Sequence, residues 1–143
     1  VNPPRLIADV NVFLFGLVAK QGSLTERFYR AFSRSDICLV FSSELTLELQ
    51  EIVAYPKVVA KGVTPAIAFR LAREIYELGE YYPRVNRYDW PSLKDKKDWY
   101  LLNLLFDSGA DGLITQDQSV LDAGKFLGMP VFSLSEGAAE GWY

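Results

Sequence analysis

The sequence predicts an α/β fold in which helices cover both faces of a mostly parallel, five-stranded sheet. Two observations carry this. Five short runs have the length and composition of strands, and segments with one apolar helical face lie between almost all of them. A third sets the scale: no repeat, low-complexity tract or linker interrupts the 143 residues. They read as one domain over 1–143, large enough to bury a core without staples.

The first run, "RLIAD" at 5–9, is short, apolar and closed by a polar residue, as a buried strand is. "VFLFGLVA" at 12–19 predicts a helix that Gly22 helps to end. In "SLTERFYRAFSR" at 23–34, Ser23 and Glu26 have the spacing of a capping box, and Leu24, Phe28, Ala31 and Phe32 fall on one helical face. "DICLVF" at 36–41 predicts the second strand. "SSELTLELQEIVAY" at 42–55 predicts a helix capped by Ser42 or Ser43 and stopped by Pro56. Thr64 before Pro65 predicts a cap and a first-turn proline for a helix ending at Gly79. "YYPRVN" at 81–86 predicts the third strand, which Pro83 places at an edge. A polar loop from Ser92 then runs into the helix of "WYLLNLLFDSG". "DGLIT" at 111–115 and "PVFSL" at 130–134 predict the fourth and fifth strands. In such folds ligands gather beyond the carboxyl ends of strands, where the strand order reverses.

Two absences prune the chemistry. With no histidine, Ser-His-Asp and Cys-His triads are excluded, as are zinc sites built on imidazole. Cys38 is the only cysteine, which excludes an internal disulfide and a Cys-rich zinc site and suits a reducing, cytoplasmic compartment. No apolar run approaches the length of a membrane span, and the first residues lack a signal-peptide layout, although a chain opening on Val1 leaves room for a missing start. The net charge of −3 argues against coating nucleic acid non-specifically. It leaves nucleic-acid chemistry open, because a metal-binding cluster of acids is itself a large negative contribution. Local basic groups (Arg27, Arg30 and Arg34; Arg70 and Arg73; Lys94, Lys96 and Lys97) read as solvated faces or as phosphate contacts.

The acids are the informative residues. Asp9 closes the first strand and Asp117 lies two residues beyond the fourth, so both belong at the carboxyl edge of the sheet. Asp98 sits in the first turn of a helix, and helix N-termini in this fold point to the same edge. Glu48 flanks the buried helical face made by Leu45, Leu49 and Ile52. Taken singly, Asp98 suits a helix dipole, Asp117 a turn, and Glu48 a solvent-facing position. Asp9 is different, since a carboxylate ending a core strand is costly unless something pairs with it. Four acids at one edge, with no histidine to share the work, point to a divalent-cation site. Clustered carboxylates repel, and Mg²⁺ or Mn²⁺ relieves the repulsion.

Three blocks, "IADVNVFLFGL", "SSELTLELQEIVAYPKV" and "DKKDWYLLNLLFDSGADGLITQDQSVL", stand in the order and spacing of the PIN domain. From Arg5 to about Leu134 the chain resembles that family, most closely the prokaryotic group of toxins from toxin–antitoxin pairs. The resemblance implies a three-layer α/β/α sandwich with a parallel five-stranded sheet, and a Mg²⁺- or Mn²⁺-dependent ribonuclease acting on RNA. It further implies a homodimer and an antitoxin protein as partner. Asp9, Glu48, Asp98 and Asp117 match the family's acidic quartet, Asn11 the polar residue supporting the first Asp, and Thr115 the hydroxyl before the last. Three positions depart from the pattern. Trp99 stands where many relatives carry Asn or Asp, Gln116 replaces a common Gly, and Ser119 lies where some relatives have a further acid. Trp99 either narrows the groove and stacks on a base or simply caps its helix. Asp95 is expected to be peripheral.

The implied reaction is metal-assisted phosphodiester hydrolysis, with one or two cations on the quartet and Lys96, Lys97 and Arg27 against the flanking phosphates. With one cation, Asp98 positions or deprotonates the water. Other readings compete: a catalytically idle PIN-fold module that binds RNA or a partner, and an RNA-processing nuclease without an antitoxin. Receiver-like or phosphatase-like domains fit less well. Receivers place adjacent acids near the start, and phosphatases want a second Asp where this chain has Asn11.

Overall fold

The computed structural model describes residues 2–83 and 86–143. Its strands are β1 (Arg5–Ala8), β2 (Cys38–Phe41), β3 (Glu80–Tyr81), β4 (Gly112–Ile114) and β5 (Val131–Phe132). They form one wholly parallel sheet in the order β3-β2-β1-β4-β5, with β1 at its centre.

Successive strand residues point to opposite faces, and here both faces are apolar. Leu6, Ala8, Leu39, Phe41 and Ile114 enter one core, whereas Ile7, Val40, Leu113 and Val131 enter the other. A sheet greasy on both sides must be covered on both sides. Five helices close the first core: α1 (Val10–Leu14), α2 (Leu24–Ser33), α3 (Ser43–Ile52), α4 (Pro56–Ala60) and α5 (Pro65–Leu78). The second is closed by α6 (Trp99–Ser108) and α7 (Gln118–Leu127), after which α8 (Leu134–Ala139) returns to the first. The result is the three-layer α/β/α sandwich. Leu71 and Ile75 of α5 are fully buried, each stabilising the fold by roughly 1.5–3 kcal/mol.

Several boundaries differ from the sequence expectation, each for a local reason. The helix expected at 12–19 starts directly off β1 and ends at Leu14; the chain then turns past α2, where a Cβ on Gly16 would meet Tyr29 Cβ at 2.4 Å. Pro56 does not stop α3, which ends at Ile52, but opens α4 at a position that needs no N–H. Of the strand expected at 81–86, Tyr81 pairs with β2, while Arg84 and Val85 lie outside the described residues. The fifth strand stops at Phe132 because Ser133 caps α8, in a full capping box with Glu136. At Ser23 the box is half made: Ser23 Oγ accepts from Glu26 N–H, but Glu26 accepts from Gly22 N–H instead. No helix among the described residues is long and apolar enough to cross a membrane.

Candidate active site

With all strands parallel, their carboxyl ends share one edge. The connections on either side of β1 wind in opposite directions, which opens a crevice just beyond it. Asp9 is the first residue past β1. Its backbone N–H donates to the Ile114 carbonyl at 3.0 Å, extending the ladder to β4, so the side chain is fixed between the central strands. Asp9 is only 9% exposed. Its Oδ2 accepts from the Thr115 hydroxyl at 3.2 Å, and the Asn11 backbone N–H also bonds to the carboxylate. Thr115, itself fully buried, accepts the Asp117 N–H through the same oxygen at 3.1 Å.

The other acids arrive on helices. Asp117 caps α7, where its Oδ1 accepts from Ser119 N–H at 2.9 Å. Asp98 closes a 3₁₀ turn (Lys96–Asp98) and stands at the start of α6, half-buried. Glu48, mid-way along α3, accepts the Tyr100 hydroxyl at 2.5 Å. Burial pushes the Asp9 carboxyl up from its usual range, against the opposing bonds from Asn11 and Thr115. Burial does the same to Glu48, where the Tyr100 bond opposes and the charge of Asp9 adds. Asp98 is lifted to about 7, first by burial and then by the charges of Asp9, Asp95, Asp117 and Glu48. The four acids therefore lie within electrostatic reach of one another, and none of the ion pairs among the described residues involves them.

They do not form a closed ligand set. Among the described residues, no three His, Cys, Asp or Glu side chains stand close enough to hold one metal ion. Two of the carboxylates are engaged elsewhere, Glu48 by the Tyr100 hydroxyl and Asp117 by the Ser119 N–H. The donor chemistry fits a hard dication all the same: oxygen ligands only, a buried carboxylate, and no cationic side chain among the described residues paired with it.

The remaining candidates are placed variously. Asn11 is exposed, and what it gives Asp9 is its backbone N–H. Ser119 likewise serves Asp117 through its backbone. Lys97 shares a cleft of about 400 Å³ with Glu48 and Tyr100. Lys96 holds its ammonium over the Trp99 ring at 5.7 Å. Arg27, on α2, donates to the Tyr143 carbonyl at 2.8 Å and lines neither cleft beside the acids. Trp99 donates to the Leu93 carbonyl at 2.7 Å and packs on the second core. Asp95 caps the 3₁₀ turn, and Gln116 accepts the Leu134 N–H, tying its loop to α8. Sequence reasoning passed over Tyr100 and Asn103. The available signal was polar atoms inside an apolar helical run, where each must find a partner.

The model of the PIN domain family matches residues 5–119, a span that includes all four acids. The chain belongs to the PIN domain family. PIN domains are generally metal-dependent nucleases. No curated protein matches this PIN domain in sequence.

Proposed function

We propose that this PIN domain is a Mg²⁺- or Mn²⁺-dependent endoribonuclease in which Asp9, Glu48, Asp98 and Asp117 hold the cation. The observation that supports the reading is a buried Asp9 carboxylate with no cationic partner among the described residues, tied to the Asp117 backbone through the single Thr115 hydroxyl. A bound dication would lower the pKa of a water and offset the charge growing on the scissile phosphate. The chain's own residues supply the rest. Thr115 ties the Asp9 carboxylate to the Asp117 backbone, and Tyr100 on α6 holds Glu48 on α3. Asp98 orients the attacking water or takes its proton. Lys96 and Lys97 neutralise the phosphates on either side.

The resemblance of the three sequence blocks supports a narrower role, the toxin of a toxin–antitoxin pair: a cytoplasmic homodimer whose groove an antitoxin covers. The deciding experiment is cleavage of a mixed single-stranded RNA pool in Mn²⁺, Mg²⁺ or EDTA, beside Asp9→Asn. Metal-dependent cutting that Asp9→Asn loses supports the nuclease. Folded protein that binds no Mn²⁺ would instead leave an idle module that binds RNA or a partner. Growth arrest on expression of the wild type, but not of Asp9→Asn, tests the toxin role.

A further inference from the structure

Next to the acids lies a second cleft of about 380 Å³, which falls within the roughly 300–1,000 Å³ of small-molecule sites. Tyr88 and Trp99 give it aromatic surface, and Arg87, Lys96 and Lys97 give it positive charge. Asn103 lies at its floor, only 6% exposed. Lys97 and Tyr100 line this cleft and the one that holds Glu48, so the two are continuous with the acidic edge.

Asn103 is the informative residue. Its Oδ1 accepts from Tyr88 N–H at 3.0 Å and from Trp90 Nε1–H at 2.7 Å. Both partners can only donate, so the amide has one possible orientation, with oxygen toward them and NH₂ the other way. That NH₂ has no acceptor among the described residues. Nor is it sealed from the cleft, for the sealed, unpartnered side-chain atom among those residues is Ser42 Oγ. A buried donor wants an acceptor, and since the described residues supply none, a bound molecule in the cleft can. Tyr88 is held from both ends, by its N–H on Asn103 and its hydroxyl on Asp107, so the wall is preorganised. Glu44 and Asp89 also line the cleft and bring carboxylate acceptors to it.

We propose that this cleft is a base-and-phosphate subsite for RNA, selective for bases that present a carbonyl next to a ring N–H, guanine and uracil. The carbonyl oxygen accepts from Asn103, the ring N–H faces the carboxylates, and the base stacks on the aromatic wall. The adjoining phosphate pairs with Arg87 and Lys96. Adenine and cytosine present the reverse pattern, an amine next to a bare ring nitrogen, and meet donor against donor. The assignment rests on the proposed action on RNA.

The test is binding of GMP, UMP, AMP and CMP in EDTA by calorimetry, which needs neither metal nor cleavage. GMP and UMP are expected to bind about tenfold more tightly than the other two. Asn103→Asp keeps the acceptor for Tyr88 and Trp90 but removes the donor, and is expected to abolish that preference with near-ultraviolet circular dichroism unchanged. Arg87→Gln and Lys96→Gln, both on exposed residues, are expected to weaken all four nucleotides alike. These two, with the wild-type preference, decide the matter if Asn103→Asp does not fold. Equal wild-type affinities, or a preference that survives in folded Asn103→Asp, would overturn the subsite. Selective binding without RNA cleavage keeps the subsite and sinks the nuclease, whereas cleavage with no base preference does the opposite.

Discussion

Thr115 gives one hydroxyl to two acids, donating to Asp9 and accepting from the Asp117 backbone, in a place fully closed to water. Thr115→Val keeps the shape and removes both bonds. It is expected to cost about 1–3 kcal/mol in urea unfolding, because a buried carboxylate loses a donor. Mn²⁺ affinity, read by titration calorimetry, is expected to fall about tenfold, while Thr115→Ser retains most of both. Asp9→Asn tests the complementary point. Removing a buried charge that no cation among the described residues pairs is expected to raise the unfolding midpoint in EDTA even as it removes metal binding. Asp9 could be read from the sequence because a carboxylate ending an apolar strand lacks any packing reason. Tyr100 and Asn103 are marked only as polar atoms in an apolar helical run; what they bond could not be read, since their partners Glu48, Tyr88 and Trp90 come from elsewhere in the chain. Long-range pairing of polar atoms leaves no periodic mark.

Between α7 and β5 the packing is tighter than any alanine allows. A Cβ on Gly124 would lie 2.3 Å from Val131 Cγ2, so the helix backbone rests directly on the strand. Gly124→Ala is expected to destabilise the domain by about 1–3 kcal/mol, measured by chemical unfolding. The loss should come with displacement of the Asp117 cap, reported by weaker Mn²⁺ binding. Elements with strong local signals were legible: Thr64 with Pro65 and Gly79 bounds α5 as expected. The two last helices were not read as elements, although Asp117 and Gly128, at φ +68°, mark the ends of α7. Short strands gave the weakest definition, since β3 and β5 have two residues each and their extent is set by neighbours, not by composition.

For the molecule as a whole, the unneutralised acids couple folding to pH. Asp98 titrates near 7, against a usual value of about 3.9 for an unfolded chain, and Asp9 and Glu48 are also raised. The folded state thus binds more protons than the unfolded one between these values. Stability from these groups is fully present below about pH 4 and is lost as pH rises through about 7. In EDTA, the thermal midpoint is therefore expected to fall between pH 5 and pH 8. Saturating Mn²⁺ should restore it at pH 8, and Asp98→Asn should flatten much of the slope. A midpoint that ignores pH in EDTA would contradict the coupling. The α/β class followed from alternation alone. The strand order did not, because apolar runs say what is buried and not what lies beside it.

That strand order has a consequence for synthesis. β1 and β2 leave the ribosome before the rest of the sheet, but the neighbour on the other side of β1 is β4, more than a hundred residues after the start of β1. Until β4 docks, the central strand is a bare edge with unpaired backbone groups, open to mispairing with another chain. The same delay withholds Thr115 and Asp117 from Asp9, Glu48 and Asp98. A nascent chain stalled short of residue 112 carries three of the four acids and no finished edge to hold them, so the activity proposed here can appear only once β4 and Asp117 have emerged.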